Sequence, residues 1–225
     1  MAEWSVIYQD GYEDGFISQD GEAHLSVPIG HVVRWVGTRP ECKPKDKIAG
    51  QPEVYAGRYA ASIFTTYATH DAYLVSGPIT VVPGMPTRGS AYGMIVCHGI
   101  DGDDSRPGAQ AVRAGIAETD DVTQVQWGEW WAVRDSLTNE RIWAKLETPE
   151  VTPGGPVYLF LQTKSDYPVA ISAAHFDSEA VEQRTGDVPP LPVGGSLQEY
   201  IDEVQAALDG LQGYVNANVR QCIVV

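Results

Sequence analysis

Short apolar or alternating segments, separated by turn-forming dipeptides, make up most of this 225-residue chain. The separators include Asp10-Gly11, Asp20-Gly21, Pro83-Gly84 and Pro153-Gly154; proline presets φ and glycine accepts positive φ, as tight turns require. No segment before residue 182 repeats its apolar residues with helical spacing. Many short strands with frequent turns predict a mostly β fold, a sandwich or a barrel. The candidate strands are residues 4–8, 24–28, 32–36, 60–67, 72–75, 79–82, 90–98, 111–117, 124–133, 141–147, 157–163 and 170–176.

The sequences of two candidate strands indicate which of their faces lie in the protein core. Residues 157–161, Val-Tyr-Leu-Phe-Leu, are continuously apolar, which predicts a strand buried on both faces. In a strand over residues 124–133, Trp127 and Trp131 would point to one face and Trp130 to the other. One face must be core, so the other would place an indole at a solvent-facing groove where a sugar ring can stack. The alternative is that these rings fill the sandwich and its rim.

Residues 187–225 follow a different pattern. Residues 187–195 combine three prolines with two glycines, which predicts a semi-rigid linker after a β domain over residues 1–186. Ser196 and Glu199 then form a capping-box pattern that predicts an α-helix over residues 196–225. Its seam repeats in fours and threes, which favours a coiled-coil-like homo-oligomer, most simply a trimer; the alternative is a helix packed on its own β domain. The seam residues are Leu197, Ile201, Val204, Leu208, Leu211, Val215, Asn218 and Cys222.

Charge and composition exclude several classes of partner. The chain has 15 Lys and Arg against 30 Asp and Glu, a formal charge of −15, so nucleic acid is not an expected partner. No apolar stretch approaches the roughly 20 residues of a membrane span. The first residues lack the basic and apolar regions of a secretory leader, and three cysteines without metal spacing predict free thiols. These features are typical of a protein made in the cytoplasm.

Motifs for catalysis or cofactors are not found. The glycines do not form a phosphate loop or a dinucleotide fingerprint, and the five histidines occur singly. Asp101-Gly-Asp-Asp104 resembles the start of a calcium-binding EF-hand loop, but its twelfth position would be Val112 instead of glutamate. The sequence therefore predicts no catalytic residue, no required cofactor and no enzyme.

The order of several motifs resembles a known family. These motifs are residues 8–13 (Tyr-Gln-Asp-Gly-Tyr-Glu), 57–74, Val82-Pro83-Gly84 before Ala91-Tyr92, Gly99-Ile-Asp101, 157–161, and 175–182 (His-Phe-Asp-Ser-Glu-Ala-Val-Glu). Over about residues 5–182 the chain resembles carbohydrate-binding-module-like jelly rolls of the galactose-binding-like superfamily. That resemblance implies a jelly-roll β-sandwich of about eight to ten strands with adjacent termini.

The resemblance also implies candidate sites. Many such modules hold a structural calcium between the opening glutamate and the closing aspartate, here Glu13 and Asp177. Carboxylate oxygens suit Ca²⁺ on physical grounds as well. The aromatic residues that this resemblance offers for glycan contact are Trp35, Tyr67, Tyr73 and Trp131.

Three functions are compatible with these observations. The favoured one is a non-enzymatic structural or adhesion protein, a phage virion component of the decoration, head-fibre or tail-fibre type, whose jelly-roll head is displayed on an oligomeric helix and contacts a capsid or tail protein. The alternative is a glycan-binding module of a surface or secreted carbohydrate-active protein, which would be extracellular. The third is a glycoside-active enzyme with two converging carboxylates in a deep cleft.

Overall fold

The structure is a computed structural model that describes residues 3–21, 24–47, 54–65, 70–98, 110–133, 142–165 and 171–185. All of these lie in Met1–Asp187, the first of two units into which the chain divides. The predicted linker, the predicted C-terminal helix with all of its seam residues, and Tyr67 lie outside the described residues. Within the described ranges, no helix has the length and apolarity needed to cross a bilayer.

Two six-stranded antiparallel sheets form the fold, so the predicted β-sandwich is confirmed. Sheet 1 has the strand order β12-β8-β14-β6-β5, with β1 also paired to β14. Sheet 2 has the order β10-β9-β13-β7-β4, with β11 also paired to β9, and β2 and β3 form a separate ribbon. The strands in the described ranges are β1 Glu3–Asp10, β2 Phe16–Ser18, β3 Ser26–Pro28, β4 His31–Gly37, β5 Glu41–Asp46, β6 Tyr59–Thr65, β7 His70–Ser76, β8 Thr87–His98, β9 Gln110–Ala117, β10 Gln126–Trp127, β11 Trp131–Val133, β12 Trp143–Glu147, β13 Tyr158–Ser165 and β14 Ile171–Thr185.

The main core lies between the two sheets, where alternate residues of each strand point inward. Strand β13 is buried on both faces, as its continuous apolar sequence predicts. Leu159 and Leu161 face the main core, whereas Phe160 points outward into a second apolar cluster. That second cluster forms because residues 118–130 cross the outer face of sheet 2. Its members are Tyr73, Val75, Ala117 and Phe160, with Val122, Val125, Trp127 and Tyr158 packed against them.

Strand β5 is absent from the sequence-based prediction because its centre reads Lys43-Pro44-Lys45, a pattern typical of turns. The strand lies at the edge of sheet 1, where proline loses no ladder hydrogen bond if its nitrogen faces away from the neighbour. Lysines there also discourage pairing with other chains. Conversely, residues 79–82 were predicted to form a strand, but the prediction is wrong: only Ile79 forms a bridge, with Val157, because Pro78 and Pro83 limit the pairing.

The predicted facing of the tryptophans is also wrong. Trp127 pairs with Gly115 of β9 and Trp131 pairs with Val112. The two tryptophans are four positions apart, whereas their partners are three positions apart, so the segment opposite β9 contains one extra residue. The extra residue reverses the alternation of side chains. Trp127 therefore points to the outer face of sheet 2, while Trp131 packs against the main core.

Strand β14 contains a bulge that organises one end of the sandwich. One edge of β14 pairs with β8, and the opposite edge pairs first with β6, along residues 172–176, and then with β1, along residues 179–185. Between these two partners the register shifts, and Ser178 adopts a φ of 52°. Because of the bulge, the side chains of Asp177 and Glu179 point to opposite faces of β14. Asp177 contacts the loop before β6, and Glu179 points between the two sheets.

Candidate functional site

A row of polar and aromatic side chains crosses the outer face of sheet 2. Tyr73 of β7, Gln162 of β13 and Arg113 of β9 are direct register neighbours, so their side chains leave the sheet on the same side. We call these residues, together with Asp71, Trp127 and Trp130, the Arg113 cluster.

Hydrogen bonds fix the orientation of this row. Arg113 Nε donates to Gln162 Oε1 at 2.6 Å, and Gln162 Nε2 donates to Asp71 Oδ1 at 2.6 Å and to the Tyr73 hydroxyl at 3.3 Å. Because both ends of the Gln162 amide have partners, its orientation is determined. Burial and the Asp71 carboxylate raise the pKa of Tyr73 to about 12, so its hydroxyl stays protonated at neutral pH.

Two indoles clamp the guanidinium group of Arg113. Its Cζ lies 4.2 Å from the centre of the Trp127 ring and 4.1 Å from that of Trp130, within the range of cation–π attraction. Burial lowers the pKa of Arg113, opposed by Asp71 and Tyr73. Trp130 is 39% exposed, so the clamp is open to solvent on that side.

Two glycines allow Trp127 to lie on the sheet. A Cβ added at Gly115 would overlap the Trp127 ring, and one at Gly128 would overlap the backbone oxygen of Glu147. The Gly128 amide also donates to the Ala114 carbonyl at 2.9 Å, which holds the segment against β9. The Arg113 cluster therefore depends on backbone approach at positions where no other residue fits.

The aromatic residues expected to contact glycan occupy different environments. Tyr73 is buried inside the Arg113 cluster, and Trp131 packs against the main core. Trp35, which is 37% exposed, pairs with the inward-facing Ala72 and carries Arg39 over its ring, 5.9 Å from the centre. Trp35 therefore lies apart from the Arg113 cluster. Arg113 itself carried no sequence signal, because a single arginine on a strand belongs to no motif.

The two carboxylates expected to bind calcium hold the same loop. Asp177 Oδ2 accepts from the backbone nitrogens of Tyr55 at 2.9 Å and Ala56 at 3.0 Å. Glu13 Oε1 accepts from the backbone nitrogens of Arg58 at 2.7 Å and Tyr59 at 3.2 Å. The segment before β6 is thus bound by two carboxylates, one from near the start of the domain's sequence and one from near its end.

Asp177 is a buried carboxylate held by hydrogen-bond donors and, among the residues that the structure describes, without a cationic side chain as partner. Its side chain is fully buried, and no Lys, Arg or His within the described ranges pairs with it. Burial raises the pKa of Asp177 to about 6, although backbone hydrogen bonds from the loop and from Ser178 oppose the shift. A buried carboxylate without a positive partner is costly. The described residues contain no group of three His, Cys, Asp or Glu suited to a metal, so a cation here would need backbone carbonyls as further ligands.

A second buried carboxylate, Glu179, has protein partners on both oxygens. Tyr12 donates its hydroxyl to Oε1, and His31 Nε2 lies 3.1 Å from Oε2. The other ring nitrogen of His31 faces the Ile29 carbonyl oxygen at 3.2 Å. Both nitrogens face acceptors, so this arrangement favours the doubly protonated imidazolium form of His31, paired with Glu179. Burial alone lowers the pKa of His31, but Glu179 outweighs it, and the pKa lies above its ordinary value.

The fold is an antiparallel β-sandwich, and the solved structures to which the chain is similar include carbohydrate-binding modules and adhesin domains. TmCBM61, solved in complex with β-1,4-galactotriose, aligns with 76% of this chain and 92% of its own at 12% identity and a TM-score of 0.44. The K1 adhesin domain of Lys-gingipain from Porphyromonas gingivalis aligns over 77% and 96% at 12% identity, with a TM-score of 0.49. The CBM22-1 xylan-binding domain of Paenibacillus barcinonensis Xyn10C aligns over 80% and 94% at 15% identity, with a TM-score of 0.45. No protein-family model and no curated protein matches the sequence.

Proposed function

We propose that this chain is a non-catalytic glycan-binding module and that the Arg113 cluster is its binding surface. The observation that supports this most directly is the stack of Trp130, Arg113 and Trp127 beside the ordered Gln162 and Asp71 side chains. Such a surface offers an exposed ring next to planar polar groups, and it costs little to order on binding because the protein already holds it.

The chemistry of a sugar ring matches this surface. One face of a pyranose presents C–H groups with a slight positive charge, which pack on the negative face of an indole. The hydroxyl groups at the ring edge need donors and acceptors in fixed positions. Arg113 supplies donors and Asp71 supplies acceptor oxygens, while Gln162 holds both in place. A sugar stacked on the exposed side of Trp130 would reach these groups from solvent.

Paired tryptophan variants test the proposal. Trp130→Ala removes a 39% exposed ring from the Arg113 cluster, and Trp35→Ala removes a 37% exposed ring elsewhere on sheet 2. Glycans that bind the native protein on an array should be measured by isothermal titration calorimetry against both variants. Trp130→Ala should weaken binding at least about tenfold and Trp35→Ala should leave it unchanged. The stacking of a nucleic-acid base on an aromatic ring is worth about 1–3 kcal/mol, and we expect a sugar face to contribute on the same order. The reverse pattern would assign the site to Trp35, and no binding to any glycan would refute the function.

We also propose a structural calcium at Glu13 and Asp177, where the buried Asp177 carboxylate favours a cation. Calcium would join the opening and closing segments of the domain at the loop before β6, and would stabilise the fold without acting on the glycan. Adding Ca²⁺ after chelation should raise the melting temperature of the native protein, and Glu13→Gln with Asp177→Asn should abolish that increase. An identical melting temperature with and without Ca²⁺ would show that the two carboxylates only anchor the loop.

The prediction of an oligomeric virion component is supported by the heptad seam from Leu197 to Asn218, which lies outside the described residues. It remains a prediction and is compatible with glycan binding. Light scattering of the whole chain and of a chain ending at Gly186 tests it: the first should be an oligomer and the second a monomer. A monomeric whole chain at micromolar concentration would contradict self-association.

A further inference from the structure

The guanidinium group of Arg113 is held on three sides and open on the fourth. The ring centres of Trp127 and Trp130 lie 4.2 and 4.1 Å from Cζ, and Gln162 accepts from Nε. Within the described ranges, the terminal nitrogens Nη1 and Nη2 donate to no protein acceptor. The only direction left for these two nitrogens is the edge of the plane, away from Nε.

Three other arginines in the described ranges form ion pairs with carboxylates, whereas Arg39 and Arg58 lie over the rings of Trp35 and Tyr59. Arg34 pairs with Asp120, Arg88 with Glu182, and Arg184 with Glu150. Arg113 forms no such pair: Asp71, the acidic residue of the cluster, binds Gln162 and makes no ion pair with Arg113. A cation that is partly withdrawn from water without a paired anion remains able to bind one.

The fixed plane of Arg113 determines which anion fits best. A guanidinium edge with two parallel N–H groups matches the two oxygens of a carboxylate, and this geometry distinguishes arginine from lysine. Two flanking indoles prevent rotation of the plane, so binding such a group costs little ordering. A neutral sugar can use the same N–H groups, but it places no anion against them, and Asp71 acts on Arg113 only from beyond ion-pair distance.

We propose that the ligand of the Arg113 cluster is an acidic glycan, in which the carboxylate of a uronic acid residue binds the free edge of Arg113 and a sugar face packs on Trp130. This assignment rests on the proposed glycan-binding function and specifies its ligand. The chain's charge of −15 repels polyanions at a distance, but salt at physiological concentration screens that repulsion beyond about 8 Å. Recognition of the carboxylate is therefore a short-range property of one site.

Uronate oligosaccharides and their methyl esters test the assignment, because esterification removes the charge and keeps the sugar. Oligomers of galacturonate, glucuronate and mannuronate should be titrated into the whole protein by calorimetry at physiological salt. At least one acid form should bind roughly tenfold or more tightly than its ester, as expected for hydrogen bonds to a charged group. Arg113→Lys should remove this preference while keeping the charge, whereas Trp130→Ala should weaken acid and ester alike.

The outcomes separate the two proposals. If every ester binds as tightly as its acid, or if only neutral glycans bind, the carboxylate assignment is wrong and the glycan-binding function stands. If no uronate, ester or neutral glycan binds, the proposed function is wrong as well. The comparison of acid with ester needs no variant, so it remains decisive even if a substitution at Arg113 unfolds the protein.

Discussion

Replacing Glu179 by glutamine should reverse the way in which stability depends on pH. In the native protein the pKa of His31 is raised, so His31 binds its proton more tightly in the folded state. The resulting contribution to the stability of the folded state is fully present below the pKa of an unfolded histidine, about 6.5. It is lost as the pH rises through the pKa of His31 in the folded state. In Glu179→Gln the burial of His31 remains and its main counter-charge is gone, although Asp10 still favours the proton. The pKa then falls below about 6.5, and stability is lost as the pH falls.

The size of the effect follows from the contacts. The Glu179 carboxylate is almost fully buried and accepts from both Tyr12 and His31. Removing one partner of a buried ion pair costs about 3–5 kcal/mol. We expect the lower end, about 3 kcal/mol at pH 5.5, because glutamine keeps one acceptor and the Tyr12 hydroxyl can turn to accept from its amide. Above the folded pKa of His31, where the ring loses its charge, the cost should fall to about 1 kcal/mol.

Chemical denaturation followed by tryptophan fluorescence measures these free energies of unfolding. The difference in free energy of unfolding between variant and native protein is taken at each pH. This removes the contribution of other titrating groups, including Asp177. Glu182→Gln is the matched control: its carboxylate lies three residues further along β14, is partly exposed and pairs with Arg88. It should cost less than about 1 kcal/mol at every pH measured. A cost of Glu179→Gln that stays constant as the pH rises from 5.5 through the alkaline range in which the native protein remains folded would refute the charged state assigned to His31.

Three further substitutions or modifications test other parts of the structure. Tyr12→Phe removes a hydrogen bond to a buried carboxylate and should lower the free energy of unfolding by about 1.5–3 kcal/mol in the same assay; no loss would show that Glu179 does not need that donor. Gly128→Ala should be strongly destabilising because its Cβ would overlap the backbone of β12, whereas Gly155→Ala, with open space around it, should be nearly neutral; similar melting temperatures would contradict the close approach. The Cys42 thiol is buried and its pKa is raised to about 12, so with the other two cysteines replaced by serine it should react with a thiol reagent only after unfolding.

Much of the sandwich could be predicted from the sequence because turn residues and strand alternation are local signals. Strand β13 shows this most clearly, since a continuous apolar run has few other uses in a β fold. Strand β5 could not be predicted in the same way, because Lys43 and Pro44 are acceptable only at a sheet edge, and the position of an edge is a property of the whole sheet. The facing of Trp131 depended on a single extra residue opposite β9, which alternation alone does not reveal.

The candidate sites show the same division between local and long-range information. The resemblance indicates Glu13 and Asp177, and in the structure the carboxylates of both accept from backbone nitrogens of the loop before β6. The Arg113 cluster could not be assembled from the sequence, since Asp71, Arg113 and Gln162 lie on three strands that meet only in sheet 2. The only sequence feature that indicates a binding surface in that region is the group of tryptophans near residue 130.

The position of β14 has a consequence for how the domain is made. The strand borders β8 on one side and β6 and β1 on the other, so it occupies the middle of sheet 1 although it is synthesised after every other strand described. Until residue 185 leaves the ribosome, those three strands lack their common neighbour and keep unpaired edges. The domain must therefore fold after its synthesis is complete, through contacts between distant parts of the chain, a route that is intrinsically slow and that exposes the nascent protein to aggregation.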